Sequence, residues 1–166
     1  MLWPTSSDNS FAIVPARSAT ELTSAAALFR AYAASLPIDL APQGFSKELE
    51  SLPGIYGPPS GELLLAKRGD HVLGCIGLRP LKPPRIAEIK RMYVRPQARG
   101  QGVGKALVAA ILKTAEQRGY EELKLDTLAH LETAIALYKS FGFAPIPRYG
   151  NHPYPDLVCL GKTLRS

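Results

Sequence analysis

Apolar residues along this chain fall into short continuous runs and into stripes spaced three or four apart, and the two patterns alternate. The run Phe11-Ala12-Ile13-Val14-Pro15 predicts a short first strand, preceded by a tail rich in Ser, Asp, Asn and Pro. Residues 20–35 predict an alanine-rich helix, with Ser18 or Thr20 as N-cap and Pro37 as its stop. Leu22, Ala25, Ala26, Phe29 and either Tyr32 or Ala33 supply its core face. Residues 42–52 suit a second short helix, ended by Pro53-Gly54 and followed by the loop Gly57-Pro58-Pro59-Ser60-Gly61.

Residues 62–67 and 72–79 predict a hairpin around Arg68-Gly69-Asp70, and residues 85–94 a further strand reached through Leu81-Lys82-Pro83-Pro84. Residues 105–118 follow as an amphipathic helix, with Val103, Leu107, Ala110, Ile111 and Ala115 on one stripe. Residues 122–127 then form a strand whose connection through that helix makes a parallel crossover. A helix over 132–140, a strand over 143–146, a proline-punctuated loop over 147–155 and a last strand over 157–163 complete the order β-α-α-β-β-β-α-β-α-β-β. There is no internal repeat and no low-complexity tract.

At 166 residues the chain fits a single domain, expected over 11–166 with 1–10 as a flexible tail. Its apolar runs are far shorter than the ~20 residues that span a bilayer, and no signal-like segment opens it, so a soluble cytoplasmic protein with no membrane partner is the default expectation. Cys75 and Cys159 lie in apolar strand-like runs without metal-ligand spacing, so buried free thiols are expected and no metal site. The net charge of +6 raises the question of nucleic acid. The distribution argues against it: cations concentrate only moderately over 82–105, where Tyr93 is the one aromatic, and an anionic cofactor accounts for them.

The candidate anion site is Arg99-Gly100-Gln101-Gly102-Val103-Gly104, between a strand and a helix. Glycines at alternate positions permit φ values closed to other residues, so that successive amides converge on a phosphate at the positive end of a helix. Arg99 and Lys105 add charge at both ends. A P-loop would place Gly where Arg99 stands and Ser or Thr where Ala106 stands, and a dinucleotide fingerprint would place Gly at Leu107. On the loop alone, a phosphate cradle and an ordinary glycine-rich turn are equally good readings.

The neighbouring residues add a resemblance. Glu88 to Pro96 followed by Arg99-x-x-Gly102-x-Gly104, and then Ala134-Ile135-Ala136-Leu137-Tyr138-Lys139-Ser140-Phe141-Gly142-Phe143, resembles the two successive motifs of the GNAT superfamily of N-acetyltransferases. The resemblance implies an α/β fold with a central mixed, mostly antiparallel sheet, splayed between strands 4 and 5, and helices on both faces. It implies acetyl-CoA as cosubstrate, without a metal. Met92, Tyr93 and Val94 would line the splay with Met92 and Val94 offering backbone groups to pantetheine, and Arg99, Gly100, Gln101, Gly102, Val103, Gly104 and Lys105 would hold the pyrophosphate. One departure stands out: family members commonly carry an Asn that contacts the cofactor where this chain has Leu131.

Transfer to an amine needs a proton for the departing thiolate and a base for the ammonium. Tyr138 matches the family's tyrosine; a phenol of reference pKa about 10 stays protonated at neutral pH and can donate to a thiolate whose thiol titrates near 8.5. Glu88 is the candidate base, with an ion pair to Lys90 or Arg91 as an equally weighted reading. Strand alternation puts Glu88, Lys90, Met92 and Val94 on one face unless a bulge intervenes. Asp126, at the end of the neighbouring strand, is a second carboxylate for binding the amine or orienting a water. Tyr149 and Asn151, in a segment that resembles the Tyr-x-Asn-x-Pro loop of some small-molecule acetyltransferases, are candidate acceptor groups, although a rigid proline-rich connection is slightly favoured. His71, His130 and His152 are weaker candidates, and Arg30, Arg79, Lys90 and Arg148 are cations that an acceptor carboxylate would meet. The expected activity is acetylation of a small primary amine such as an amino acid. A protein lysine or N-terminal acetyltransferase and a non-catalytic coenzyme A sensor are the alternatives, and the oligomeric state is open, with a homodimer among the options.

Overall fold

A computed structural model describes residues 10–41 and 44–164. The elements are β1 (Ala12–Pro15), α1 (Ala19–Ser35), α2 (Phe45–Glu50), β2 (Glu62–Arg68), β3 (His71–Pro80), β4 (Ile86–Val94), α3 (Val103–Gln117), β5 (Glu122–Leu128), α4 (Glu132–Ser140), β6 (Ala144–Pro145) and β7 (Leu157–Thr163), with 3₁₀ turns at Gly54–Tyr56 and Pro96–Ala98. They form a seven-stranded sheet in the order β1-β2-β3-β4-β5-β7-β6. Every neighbouring pair is antiparallel except β4 and β5, which are parallel because α3 crosses between them.

The Leu63-Leu64-Leu65-Ala66 run is apolar throughout because β2 is covered on both faces. Leu64 and Ala66 join Leu107, Val108 and Ile111 of α3 in one core, whereas Leu63 and Leu65 join Leu28 and Phe29 of α1 in the other. Helix α1 starts on a capping box: Ser18 Oγ accepts from the Glu21 amide, and the Glu21 carboxylate accepts from the Ser18 amide. Ser18 is therefore the cap, and Leu28 belongs to the buried stripe although the sequence pattern passed over it.

The regular part of α2 is shorter than the 42–52 expected, since Gly44 in the left-handed region starts it and Ser51 ends it; Pro42 and Gln43 lie outside the described residues, as does the expected tail up to Asn9. Strand β4 begins after Arg85, whose φ of 75° is not that of a strand. Strand β6 has only two residues, Ala144 and Pro145, instead of the four expected, and it pairs with β7 alone. Both outer strands carry a proline, Pro15 in β1 and Pro145 in β6. Cys75 and Cys159 are buried free thiols. Among the described residues no helix is long and apolar enough to cross a membrane.

A buried carboxylate ties α3 to the sheet. Glu62 accepts from Arg17 at 2.8 and 3.0 Å and from Arg118 at 2.8 Å, while Arg118 also donates to the Pro59 and Gly61 carbonyls. Burial alone pushes the Glu62 carboxyl up, but the hydrogen bonds from Arg17 and the Leu63 amide, with the charges of Arg17 and Arg118, hold it below its ordinary value. Its stabilising contribution is thus complete above the unfolded carboxyl pKa and is lost as pH falls through the lower folded value. Glu62→Gln is expected to cost about 2 kcal/mol at neutral pH. In urea titrations across pH, the gap to the wild type should close below about pH 4.

Candidate active site

Strands β4 and β5 pair only through Ile86, Ala87 and Glu88 against Glu122, Leu123 and Lys124. Beyond Glu88 the strands diverge, β4 remaining paired with β3 and β5 with β7. A wedge opens between them whose β4 side is an unpaired strand edge. Within that edge Gly77 faces Lys90 while Cys75 faces Tyr93, so three steps along β4 match two along β3, and Arg91 takes up the extra residue at φ 61°. The bulge sends both Lys90 and Arg91 to the α1 and α2 side. Met92 and Val94 turn instead to the α3 core, and Tyr93 to the α1 core. The single face expected for Glu88, Lys90, Met92 and Val94 is therefore divided at the bulge.

Arg91 is anchored there. Its Nε and Nη2 donate to Glu48 Oε2 and Oε1 at 2.7 and 3.0 Å, with side-chain exposures of 3% and 9%. Its guanidinium lies 5.2 Å from the Phe45 ring centroid. The Cys75 thiol donates to the Arg91 carbonyl at 3.2 Å, and burial pushes that thiol up to about 12. Arg91 is thus not the partner of Glu88, as one reading of the sequence had it. Glu48 carried no signal in the sequence, because a carboxylate on a short polar helix normally faces water.

The glycine segment divides into two parts. Gly100 and Gly102 adopt φ values of 78° and 81°, and Gly102 is the N-cap of α3. Gly104 is not a turn residue: the helix begins at Val103, two residues earlier than expected, and a Cβ at Gly104 would lie 3.3 Å from Leu137 of α4. The first helical bond runs from the Ala106 amide to the Gly102 carbonyl, so the amides of Val103, Gly104 and Lys105 have no acceptor inside the helix. Gln101 turns its side chain away, accepting from Arg68 at 2.8 Å, and Arg99 donates to the Val94 carbonyl at 3.0 Å over the Tyr93 ring. Lys105 is exposed in the first turn of α3.

Tyr138 of α4 is 5% exposed and packs edge-on to Phe143, with ring centroids 5.6 Å apart. Burial, and then Tyr32, drive its phenol well above the ordinary value. Tyr32 of α1 is pushed up to about 12, by burial first. A narrow cavity of about 30 Å³ at the wedge is walled by Tyr32, Lys90, Arg91, Asp126, Thr127 and Tyr154, among others. Leu131, at the usual Asn position, is the N-cap of α4 and makes no side-chain cap bond.

Glu88 is 3% exposed and accepts from the Tyr149 hydroxyl at 2.5 Å. Arg79 Nε and Lys90 Nζ lie 3.4 and 3.9 Å from Glu88 Oε1. Burial, followed by the Glu88 charge, raises the Tyr149 phenol far above its usual range. Tyr149 therefore does reach the site, whereas Asn151 is exposed on the far side of its loop. The reason is local: Gly150 turns the chain at φ 74°, after which His152 and Tyr154 point inward and Asn151 and Pro153 outward. His152 Nε2 lies 3.1 Å from Asp126 Oδ2, close but out of line for a hydrogen bond, so that oxygen lacks a well-formed donor among the described residues. Arg148 clamps the His152 and Tyr154 carbonyls at 2.7 and 2.6 Å and is committed to the loop. His130 and Arg30 are exposed. No group of three metal-ligating side chains occurs among the described residues.

The site thus combines a β4 edge that β5 has left, the N-terminus of α3 with three amides that have no acceptor inside the helix, and a buried tyrosine of the next helix. Residues 26–143 match the family model described as Acetyltransferase (GNAT) family. An uncharacterized N-acetyltransferase of Schizosaccharomyces pombe is 40% identical over 135 residues, covering 80% of this chain and 82% of that protein. A GNAT-family acetyltransferase structure from Staphylococcus aureus superposes with a TM-score of 0.76 at 21% identity, covering 94% of this chain and 100% of the other. The ribosomal-protein-S18-alanine N-acetyltransferase of Escherichia coli does so with 0.71 at 20%, covering 95% and 96%. The chain belongs to the GNAT family and is an N-acetyltransferase. The family's acetyl donor is acetyl-CoA, and the free β4 edge with the α3 amides fits that donor's pantetheine and pyrophosphate.

The Arg91 anchor makes a direct prediction. Glu48→Ala leaves a buried guanidinium without its carboxylate and is expected to lower the unfolding free energy by about 3 kcal/mol in denaturant titrations. Combining it with Arg91→Met should restore part of that loss.

Proposed function

We propose that the chain acetylates the primary amine of a small molecule, an amino acid or related metabolite, by direct attack of the amine on the thioester. The observation that carries this reading is the roof over the wedge. The Tyr154 hydroxyl donates to the Asp39 carbonyl at 2.8 Å, tying the loop over 147–155 to the segment after α1. A roof of that kind favours a capped pocket, whereas a protein substrate would need an open groove.

When bound, acetyl-CoA supplies an activated acyl group. The amides of Val103, Gly104 and Lys105, at the positive end of α3, hold its pyrophosphate, with Gly100 and Gly102 shaping the turn and Arg99 and Gln101 bracing it. Met92 and Val94 present the strand edge, and one amide of that edge would polarise the acyl oxygen. Tyr138 donates the proton to the departing sulfur. Its raised pKa keeps the phenol protonated but makes it a weaker acid, so its contribution comes from position more than from acidity. Glu88 takes the ammonium proton through a water, since Arg79, Lys90 and Tyr149 surround its carboxylate. Asp126, at the wedge, binds the ammonium before it is deprotonated.

Tyr138→Phe is expected to lower kcat about 100-fold with little change in the KM for acetyl-CoA, and unchanged turnover would remove Tyr138 from the chemistry. In the pH profile of kcat/KM, Glu88→Gln should lower the rate and flatten its alkaline rise; a variant that keeps both excludes Glu88 as the base. Thiol release from acetyl-CoA with a panel of small amines and of peptides, against a control without acceptor, tests the substrate class. Turnover confined to peptides would replace the small-molecule reading with protein acetylation, and binding of coenzyme A without turnover of any amine would leave a sensor.

A further inference from the structure

Beside the wedge, between the 3₁₀ turn at Gly54–Tyr56 and strands β3 and β4, lies a second cavity of about 230 Å³. Its wall includes Lys47, Glu48, Tyr56, Arg79 and Lys90. Tyr56 is fully buried, and among the described residues its hydroxyl, beside the Glu48 carboxylate, makes no well-aligned hydrogen bond; the buried Arg79 Nε lies 3.4 Å from Glu88 Oε1, also out of line. Buried donors that meet their neighbouring carboxylates out of line are incompletely satisfied at a cost, and two on one cavity wall mark a place where a further acceptor can complete them.

The charges point the same way. Lys47, Arg79 and Lys90 on the cavity wall, with Arg91 next to Lys90, stand against the carboxylates of Glu48, Glu88 and Asp126, and Glu48 is committed in bidentate fashion to Arg91. Glu88 already accepts from Tyr149 while Arg79 and Lys90 stand beside it. A further anion would balance the excess of cations. Burial holds the Lys90 ammonium below the usual lysine range, against the pull of Glu88 and Asp126, and a further anion beside it would offset that cost.

We propose that this cavity is a carboxylate site, where Arg79, Lys90 and the Tyr56 hydroxyl hold the acid group of the amine acceptor. The inference rests on the small-molecule reading and narrows it to amines that carry a carboxylate. Lys90 walls both cavities, so an acid anchored beside it leaves the rest of the acceptor directed toward Asp126 and the open edge of β4. At about 230 Å³ the space suits a small acid more than a drug-sized ligand. A free amino acid and the C-terminal carboxylate of a peptide share this chemistry, and the test separates them.

The experiment pairs each common amino acid with its carboxamide. Binding is followed by isothermal titration calorimetry on the enzyme with coenzyme A present, and turnover by thiol release with acetyl-CoA. At least one acid should bind and react roughly 10- to 100-fold better than its amide, and Arg79→Gln should reduce that ratio toward one. Tyr56→Phe, which keeps the ring that fills the core, should reduce it in part. Equal behaviour of acids and amides overturns the proposal, as does the absence of acid binding across the panel. Turnover of neutral amines in that case leaves small-molecule acetylation standing. Conversely, peptides that bind through a C-terminal carboxylate while free amino acids do not would keep the carboxylate site and remove the small-molecule acceptor.

Discussion

Between Lys90 and Tyr93, strand β4 carries one residue more than β3 has to pair with it, and most of what the molecule can do descends from that mismatch. The extra residue rotates the strand so that consecutive cations, Lys90 and Arg91, face the α1 and α2 side while Met92 and Val94 return to the α3 core. It coincides with the stretch of β4 that has parted from β5, so the backbone groups on that side are available to a ligand instead of a strand. The distortion has to be held in place. Glu48 and Phe45 of α2 grip the Arg91 side chain, and the Cys75 thiol grips its carbonyl from within the sheet. A short helix with no fully buried residue of its own is thereby fixed to the strand that forms the site.

The charges around the wedge form two linked groups with different degrees of satisfaction. Arg91 and Glu48 match in geometry and leave little over. Around Glu88 the match is loose: Tyr149 makes the one short bond, Arg79 and Lys90 stand at longer range, and Asp126 meets His152 without alignment. Tightly matched pairs hold architecture; loosely matched ones leave donors and acceptors for a passing ligand, at a cost to stability that functional sites commonly bear.

Element order, the α4 boundaries and the last strand were legible because periodicity and prolines mark them strongly. Lys105 as a helix start was misleading, because Gly104 reads as part of a glycine loop when it is already helical, with a close approach to Leu137. The bulge itself is invisible in the alternation of residues 85–94, since Arg91 gives no hint of a left-handed φ. Likewise, Asn151 and His152 cannot be told apart as outward and inward side chains until the turn at Gly150 is known. Glu48 and Tyr56 reach the site only through tertiary packing, and no local pattern encodes that.

The sheet's two borders show a further consequence. Pro15 at one edge and Pro145 at the other lack the amide that an incoming strand would need, and both outer strands are short. An enzyme that keeps a strand edge exposed to recognise a cosubstrate risks offering edges to copies of itself. Here the one inviting edge lies inside the wedge, beneath a roof, while the outer rims are chemically blunted against aggregation.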